Sequence, residues 1–131
     1  MKIIISIIIA LTTLHAFAQV DRKQNDGSST QNHNLVAYRL FPTQNMWTFI
    51  KLNTRNGQMW QVQFDIKGDN RFVTSLSAEP LVFKENEVND RFTIYATQNI
   101  YTFILLDQLN GKTWQLQWST EPKNRGIILI E

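Results

Sequence analysis

Of the side chains that enzymes use as nucleophiles, bases and metal ligands, this chain holds few. It has two histidines, His15 and His33, and no cysteine. Without cysteine, and with the histidines confined to the first 33 residues, a His-based triad, a thiolate nucleophile and a Cys/His zinc site are excluded by inventory. Paired carboxylates are the remaining route to acid–base work, as in glycoside hydrolysis. Asp65, Asp69, Glu79, Glu85, Glu87, Asp90, Asp107 and Glu121 all fall in segments that read as turns or as a charged connection, where solvated acids are usual. Calcium needs six to eight oxygens from closely spaced acids, and Lys67-Gly68-Asp69-Asn70 offers one or two. The reading is therefore a protein without catalytic residues, cofactor or metal. A carboxylate-based hydrolase is kept as the least favoured alternative.

Amide and apolar side chains are more plentiful, and they recur. Residues 41–64, FPTQNMWTFIKLNTRNGQMWQVQF, return 54 positions later as YATQNIYTFILLDQLNGKTWQLQW in residues 95–118. Across residues 41–73 and 95–127, 14 of 33 aligned positions are identical without a gap. Such self-similarity marks a duplicated structural unit. Each copy alternates aromatic or β-branched residues with polar ones around an Asn-Gly loop, which reads as a hairpin. Asn53 and Asp107 are placed to close the loop through their side chains, and Gly57 and Gly111 to supply positive φ. Strands are predicted over residues 36–41, 46–53, 58–66 and 71–77 in the first copy, with a last strand over 127–130. About eight strands result, with no helix after the first 18 residues.

A four-residue loop places Lys51 opposite Trp60, Phe49 opposite Val62 and Trp47 opposite Phe64, all on one face of the sheet. The matching face of the second copy carries Tyr101, Phe103, Leu105, Trp114, Leu116 and Trp118. These aromatic faces are the predicted core, and loss of both Trp60 and Trp114 is predicted to unfold the domain. One such unit cannot bury its greasy face alone. The expected fold is all-β, two tandem repeats of about four antiparallel strands packed as a pseudo-twofold sandwich or barrel. The strand–turn–strand pattern is also that of propeller blades, but two blades cannot close a ring.

The opposite faces carry Thr48, Ile50, Leu52, Met59, Gln61 and Gln63 in the first copy, and Thr102, Ile104, Leu106, Thr113, Gln115 and Gln117 in the second. Half apolar and half amide, these read as a binding surface, with glutamines as adaptable donors and acceptors. Leu109, at a turn where the first copy has Arg55, joins them. The candidate partner-binding residues are thus Gln61, Gln63, Leu109, Gln115 and Gln117. The repeated Thr-Gln-Asn (residues 43–45 and 97–99) reads as turn chemistry.

The address follows from the N-terminus. Lys2, an apolar run over residues 3–14 and Ala16-Phe17-Ala18 compose a secretory signal peptide, with cleavage before Gln19. Its apolar run is too short to span a bilayer core of about 30 Å, so no membrane insertion is expected after cleavage. Removing residues 1–18 from 131 leaves 113, with 12 basic and 11 acidic residues. Near-neutral charge disfavours nucleic acid as a partner. Residues 19–34 are polar and read as a flexible arm. Residues 35–131 form the single domain, its repeats spanning about 35–78 and 89–131. The paired TQN and NG…WQ[VL]Q motifs, with the closing Asn124-Arg125-Gly126, resemble a family of short exported two-repeat proteins of Bacteroides-type bacteria. That resemblance implies export to the periplasm or beyond and carries no activity or site residue. The expected function is a non-catalytic exported module that engages another protein, or forms a homodimer, through a β-sheet surface. An inhibitor, an immunity-type partner or a surface-complex component would all fit, and glycan binding is the alternative.

Overall fold

Period-two alternation on either side of two Asn-Gly loops produces two four-stranded antiparallel meanders. The computed structural model describes residues 36–131, so the expected signal peptide and polar arm lie outside the described residues. In the first sheet β1 (Tyr38–Pro42), β2 (Thr48–Asn53), β3 (Met59–Gln63) and β4 (Phe72–Ser77) pair in chain order. The second sheet repeats this order with β5 (Phe92–Ala96), β6 (Thr102–Asp107), β7 (Thr113–Gln117) and β8 (Gly126–Ile130). Two short 3-10 turns, Lys84–Asn86 and Pro122–Asn124, are the described helical pieces. Residues 81–83, which the sequence leaves open as a short edge strand or a strap, form a strap without strand pairing: Leu81 and Val82 pack on the core, and the Leu81 N–H donates to the Asn56 carbonyl at 2.8 Å.

The register matches the loop chemistry. Lys51 pairs with Trp60 and Phe49 with Val62, as Leu105 does with Trp114 and Phe103 with Leu116. At the hairpin, the Asn53 Oδ1 accepts the Arg55 N–H at 3.1 Å and the Asp107 Oδ1 accepts the Leu109 N–H at 3.0 Å. Gly57 and Gly111 follow at φ 79° and 77°, a region that favours glycine. The Thr-Gln-Asn repeats are turns in both copies. Thr43 Oγ1 donates to the Thr48 carbonyl and Asn45 Oδ1 accepts the Trp47 N–H at 2.9 Å. Thr97, Asn99 and Tyr101 repeat the pattern.

The two sheets pack into one sandwich, but they meet through unlike faces. The second sheet buries most of its aromatic face: Phe92, Ile94, Phe103, Leu105, Leu116 and Trp118 are all at most 4 % exposed, while Trp114 is half-buried and Tyr101, also expected in the core, is 45 % exposed. The first sheet turns the other face inward. Ile50, Leu52, Met59, Thr48 and Gln61 are sealed, while Trp47, Phe49, Trp60 and Val62 stay half-buried and Phe64 is 41 % exposed. Trp60 is thus not a core residue, and its loss together with Trp114 would remove one side chain from the core's margin rather than two from its centre. Leu76 is the extra residue of a bulge between Met59↔Ser77 and Trp60↔Ser75, and it joins the core.

Lys51 supplies a physical reason for the choice. It occupies the centre of the aromatic face, where the second copy has Leu105, and its Nζ lies 4.5 Å from the Trp60 ring. Turning that face inward would bury an ammonium, which costs far more than burying the neutral Gln61 amide. The chain between the sheets locks the result. Thr54 receives the Phe92 N–H on its carbonyl at 2.8 Å and the Asp90 N–H on its hydroxyl at 3.1 Å. Asn56 donates to Glu87 at 2.9 Å, and Arg125 reaches Thr74 from the second sheet at 3.4 Å.

Candidate functional site: the two outer sheet faces

A two-layer sandwich has two outer faces, and here both carry large apolar side chains. On the outer face of the first sheet, cross-strand pairing lines up Leu40, Lys51 and Trp60 in one row and Phe49, Val62 and Val73 in the next. Tyr38 stands 6.3 Å from Trp60, Trp47 lies 5.3 Å and Phe49 6.1 Å from Phe64 (ring centroids), making a near-continuous aromatic surface. Tyr38, Leu40 and Val73 are more than half exposed. Among the described residues Lys51 is the one charged strand residue in this face, held over Trp60 by cation–π attraction.

The outer face of the second sheet is built from Thr93, Leu106, Thr113 and Ile130 in one row and Tyr95, Ile104, Gln115 and Ile128 in the next. Tyr95, Gln115, Ile128 and Ile130 are exposed. A groove of about 380 Å³ runs between Gln115, Gln117, Arg125 and Ile128. Arg125 is fixed there by donating to the Ser119 and Thr120 carbonyls at 2.7 and 3.1 Å.

The sequence-predicted binding residues divide across these surfaces. Gln115 is exposed and Gln117 half-buried on the second sheet's outer face. Leu109 is 64 % exposed in the loop that corresponds to residues 54–57, which the linker covers in the first copy. Gln63 is half-buried and lines a small groove with Trp47, Phe64, Asp65 and Asn70. Gln61 is corrected: it lies fully enclosed between the sheets and faces no partner. Among the described residues, its Oε1 and Nε2, and the Thr48 hydroxyl, have no hydrogen-bond partner. An unpaired buried amide costs about 1–3 kcal/mol, so Gln61→Leu is expected to raise the melting temperature. A fall on substitution would mean that the amide is satisfied in solution. The residues that sequence reasoning left out are Tyr38, Leu40 and Val73 on the aromatic face. The available signal was Lys51, a charge in the middle of a row assigned to the interior.

Four of the acidic residues, Asp65, Glu87, Asp90 and Asp107, make structural contacts. Asp65 is held below the usual carboxylate range, chiefly by the Lys67 N–H and also by Asn70, which close its turn. Glu87 pairs with Arg55 at 3.0 Å and Asp90 with Arg39 at 2.7 Å. Asp107 is buried against Arg91 at 2.8 Å. Among the described residues no three His, Cys, Asp or Glu side chains cluster as metal ligands would.

Comparison with protein-family models, with curated proteins and with solved structures gives no match.

Proposed function

We propose that this chain is an exported, non-catalytic binding module that engages protein through the outer faces of its two sheets. The observation that carries this reading is the aromatic surface of the first sheet. Single exposed apolar residues are ordinary, but contiguous apolar patches beyond about 300–600 Å² mark interaction sites. Here Tyr38, Leu40, Trp60, Phe49, Val62 and Val73 are cross-strand neighbours with Lys51 among them. The structural use of Asp65, Glu87, Asp90 and Asp107 also fits a module without catalytic acids.

The experiment is affinity capture from the native envelope and secreted fractions with the mature chain, residues 19–131. It is run beside a Leu40→Asp/Val73→Asp variant and a Gln115→Asp/Ile128→Asp variant. All four positions are exposed, so the substitutions change surface and leave the core intact. A stoichiometric protein, another copy of the chain included, that is retained by the wild type and lost by either variant supports the reading. Unchanged capture by both variants, or none by the wild type, removes it.

A second reading has one specific support. Trp47 lies half-exposed beside Gln63, Asp65 and Asn70 in a groove of about 140 Å³, a ring next to polar groups as sugars require. Titration of tryptophan fluorescence against a saccharide panel tests it, and an unchanged signal for wild type and Trp47→Ala alike excludes it.

A further inference from the structure

The two faces left outside are repeat copies of the two faces packed inside. Shifting by 54 residues turns the inward-facing row Phe41, Ile50, Gln61 into the outward-facing row Tyr95, Ile104, Gln115, of which Tyr95 and Gln115 are exposed and Ile104 is half-buried. The same shift turns the outer residues Leu40, Trp60 and Val73 of the first sheet into Ile94, Trp114 and Ile127, which are buried or packed on the core. Within one chain, therefore, the Gln-bearing face of one unit docks on the aromatic face of the next. Among the described residues, one surface of each kind is left without a partner sheet.

We infer that the chain assembles head to tail with further copies of itself, the outer aromatic face of the first sheet in one copy receiving the outer face of the second sheet in the next. This rests on the binding-surface reading above and names the partner. The contact extends the interface already present inside the chain, so its shape and polarity are specified twice in the sequence. It is heterologous, because the two surfaces differ, and such contacts close into rings when the rotation between units permits. Stacked four-stranded units of this kind close at about 4–8 blades, which corresponds to roughly two to four copies. Two units cannot close a ring within one chain, but several chains can.

Charge selects this pairing over a symmetric one. Two aromatic faces meeting about a twofold axis would bring Lys51 of each copy towards the same desolvated region, and like charges there repel. Head to tail, Lys51 meets a surface bearing Gln115 and Gln117, whose amide oxygens can accept from its ammonium. Since Lys51 stands where the internal contact has Leu105, the contact between copies is the weaker of the two and forms reversibly.

The test separates head-to-tail docking from any other association. Light scattering coupled to size exclusion gives the mass of the mature chain across a concentration series. The wild type is expected to exceed the monomer mass, rising to a fixed multiple. The Leu40→Asp/Val73→Asp variant and the Gln115→Asp/Ile128→Asp variant are each expected to be monomeric, with melting temperatures near that of wild type. Mixed in equal amounts, they are expected to form a 1:1 heterodimer, because the mixture keeps one intact surface of each kind. A symmetric contact through either face predicts that one variant still self-associates and that mixing adds nothing, which overturns the proposal. A wild type that stays monomeric at every concentration also overturns it. In that case, capture of a different protein that either variant loses leaves the binding-surface reading standing, whereas unchanged capture ends both.

Discussion

Trp118→Ala is expected to destabilise the domain by about 3–5 kcal/mol, while Phe64→Ala, at the equivalent position of the first repeat, costs about 1 kcal/mol or less. The two residues share a local setting. Trp118 lies 5.3 Å from Tyr101 at 50° and Phe64 lies 5.3 Å from Trp47 at 58°. Their surroundings differ. Trp118 is 1 % exposed and its indole N–H donates to the Ile100 carbonyl at 2.9 Å, so truncation opens a cavity and strands an acceptor. Phe64 is 41 % exposed, and its truncation lets water in where water already touches the ring. Denaturant midpoints of the two variants measure the difference. Equal losses would mean that both sheets bury like faces, contrary to the packing described.

Asp107→Ala should be nearly as damaging, at about 3–5 kcal/mol, because it leaves the Arg91 guanidinium without its partner in a site where the two side chains are 11 % and 1 % exposed. Arg91 donates to both carboxylate oxygens, with Nε at 3.0–3.1 Å and Nη2 at 2.8 Å, while Nη1 reaches the Asn86 carbonyl at 2.8 Å. The pair thus ties the linker to the second hairpin. The first repeat does without it, having Ala37 and Asn53 at the matching positions. The double change Arg91→Ala/Asp107→Asn is therefore expected to cost clearly less than Asp107→Ala alone, since Asn can still accept the Leu109 N–H and no cation remains unpaired. A double variant as unstable as the single one would show that the ion pair is not the source of the loss.

The same carboxylate sets a pH dependence. Burial raises the Asp107 pKa, but the Arg91 hydrogen bonds and charge and the Leu109 and Asn110 N–H groups outweigh it, so the folded value lies below the ordinary one. A depressed folded pKa contributes stability that is fully present above the unfolded value of about 3.9 and is lost as pH falls through the folded value. Unfolding free energy of the wild type should therefore decline below about pH 4 more steeply than that of the Arg91→Ala/Asp107→Asn variant. Parallel acid curves would remove Asp107 from the account.

Much of the fold was legible because it is local. The Asn53 and Asp107 hairpins, the Thr-Gln-Asn turns, the antiparallel register and the number of strands depend on side chains within a few residues of the backbone groups they bond. The repeat made each observation twice. Even the role of Asp107 as a turn-closing acid follows from its spacing to Gly111. Its pairing with Arg91, 16 residues away, does not.

Which face of the first sheet turns inward was settled only in the tertiary structure. Period-two alternation sorts Trp47, Phe49 and Trp60 from Ile50, Leu52 and Gln61, but it assigns neither set to the interior. That choice depends on the whole surface the second sheet offers and on the cost of the worst residue each face would bury. Aromatic content favoured one answer, and a single ammonium at Lys51, set against a single neutral amide at Gln61, favours the other. The repeat made the two units similar in sequence, yet a pair of stacked layers places them in different environments, one face of each inside and one outside. The sequence by itself therefore determined the strands, their pairing and the two kinds of face. Only the packing of one sheet on the other decided which Trp are core, which Gln is sealed and which surfaces remain to meet a partner, because burial is a property of both layers together.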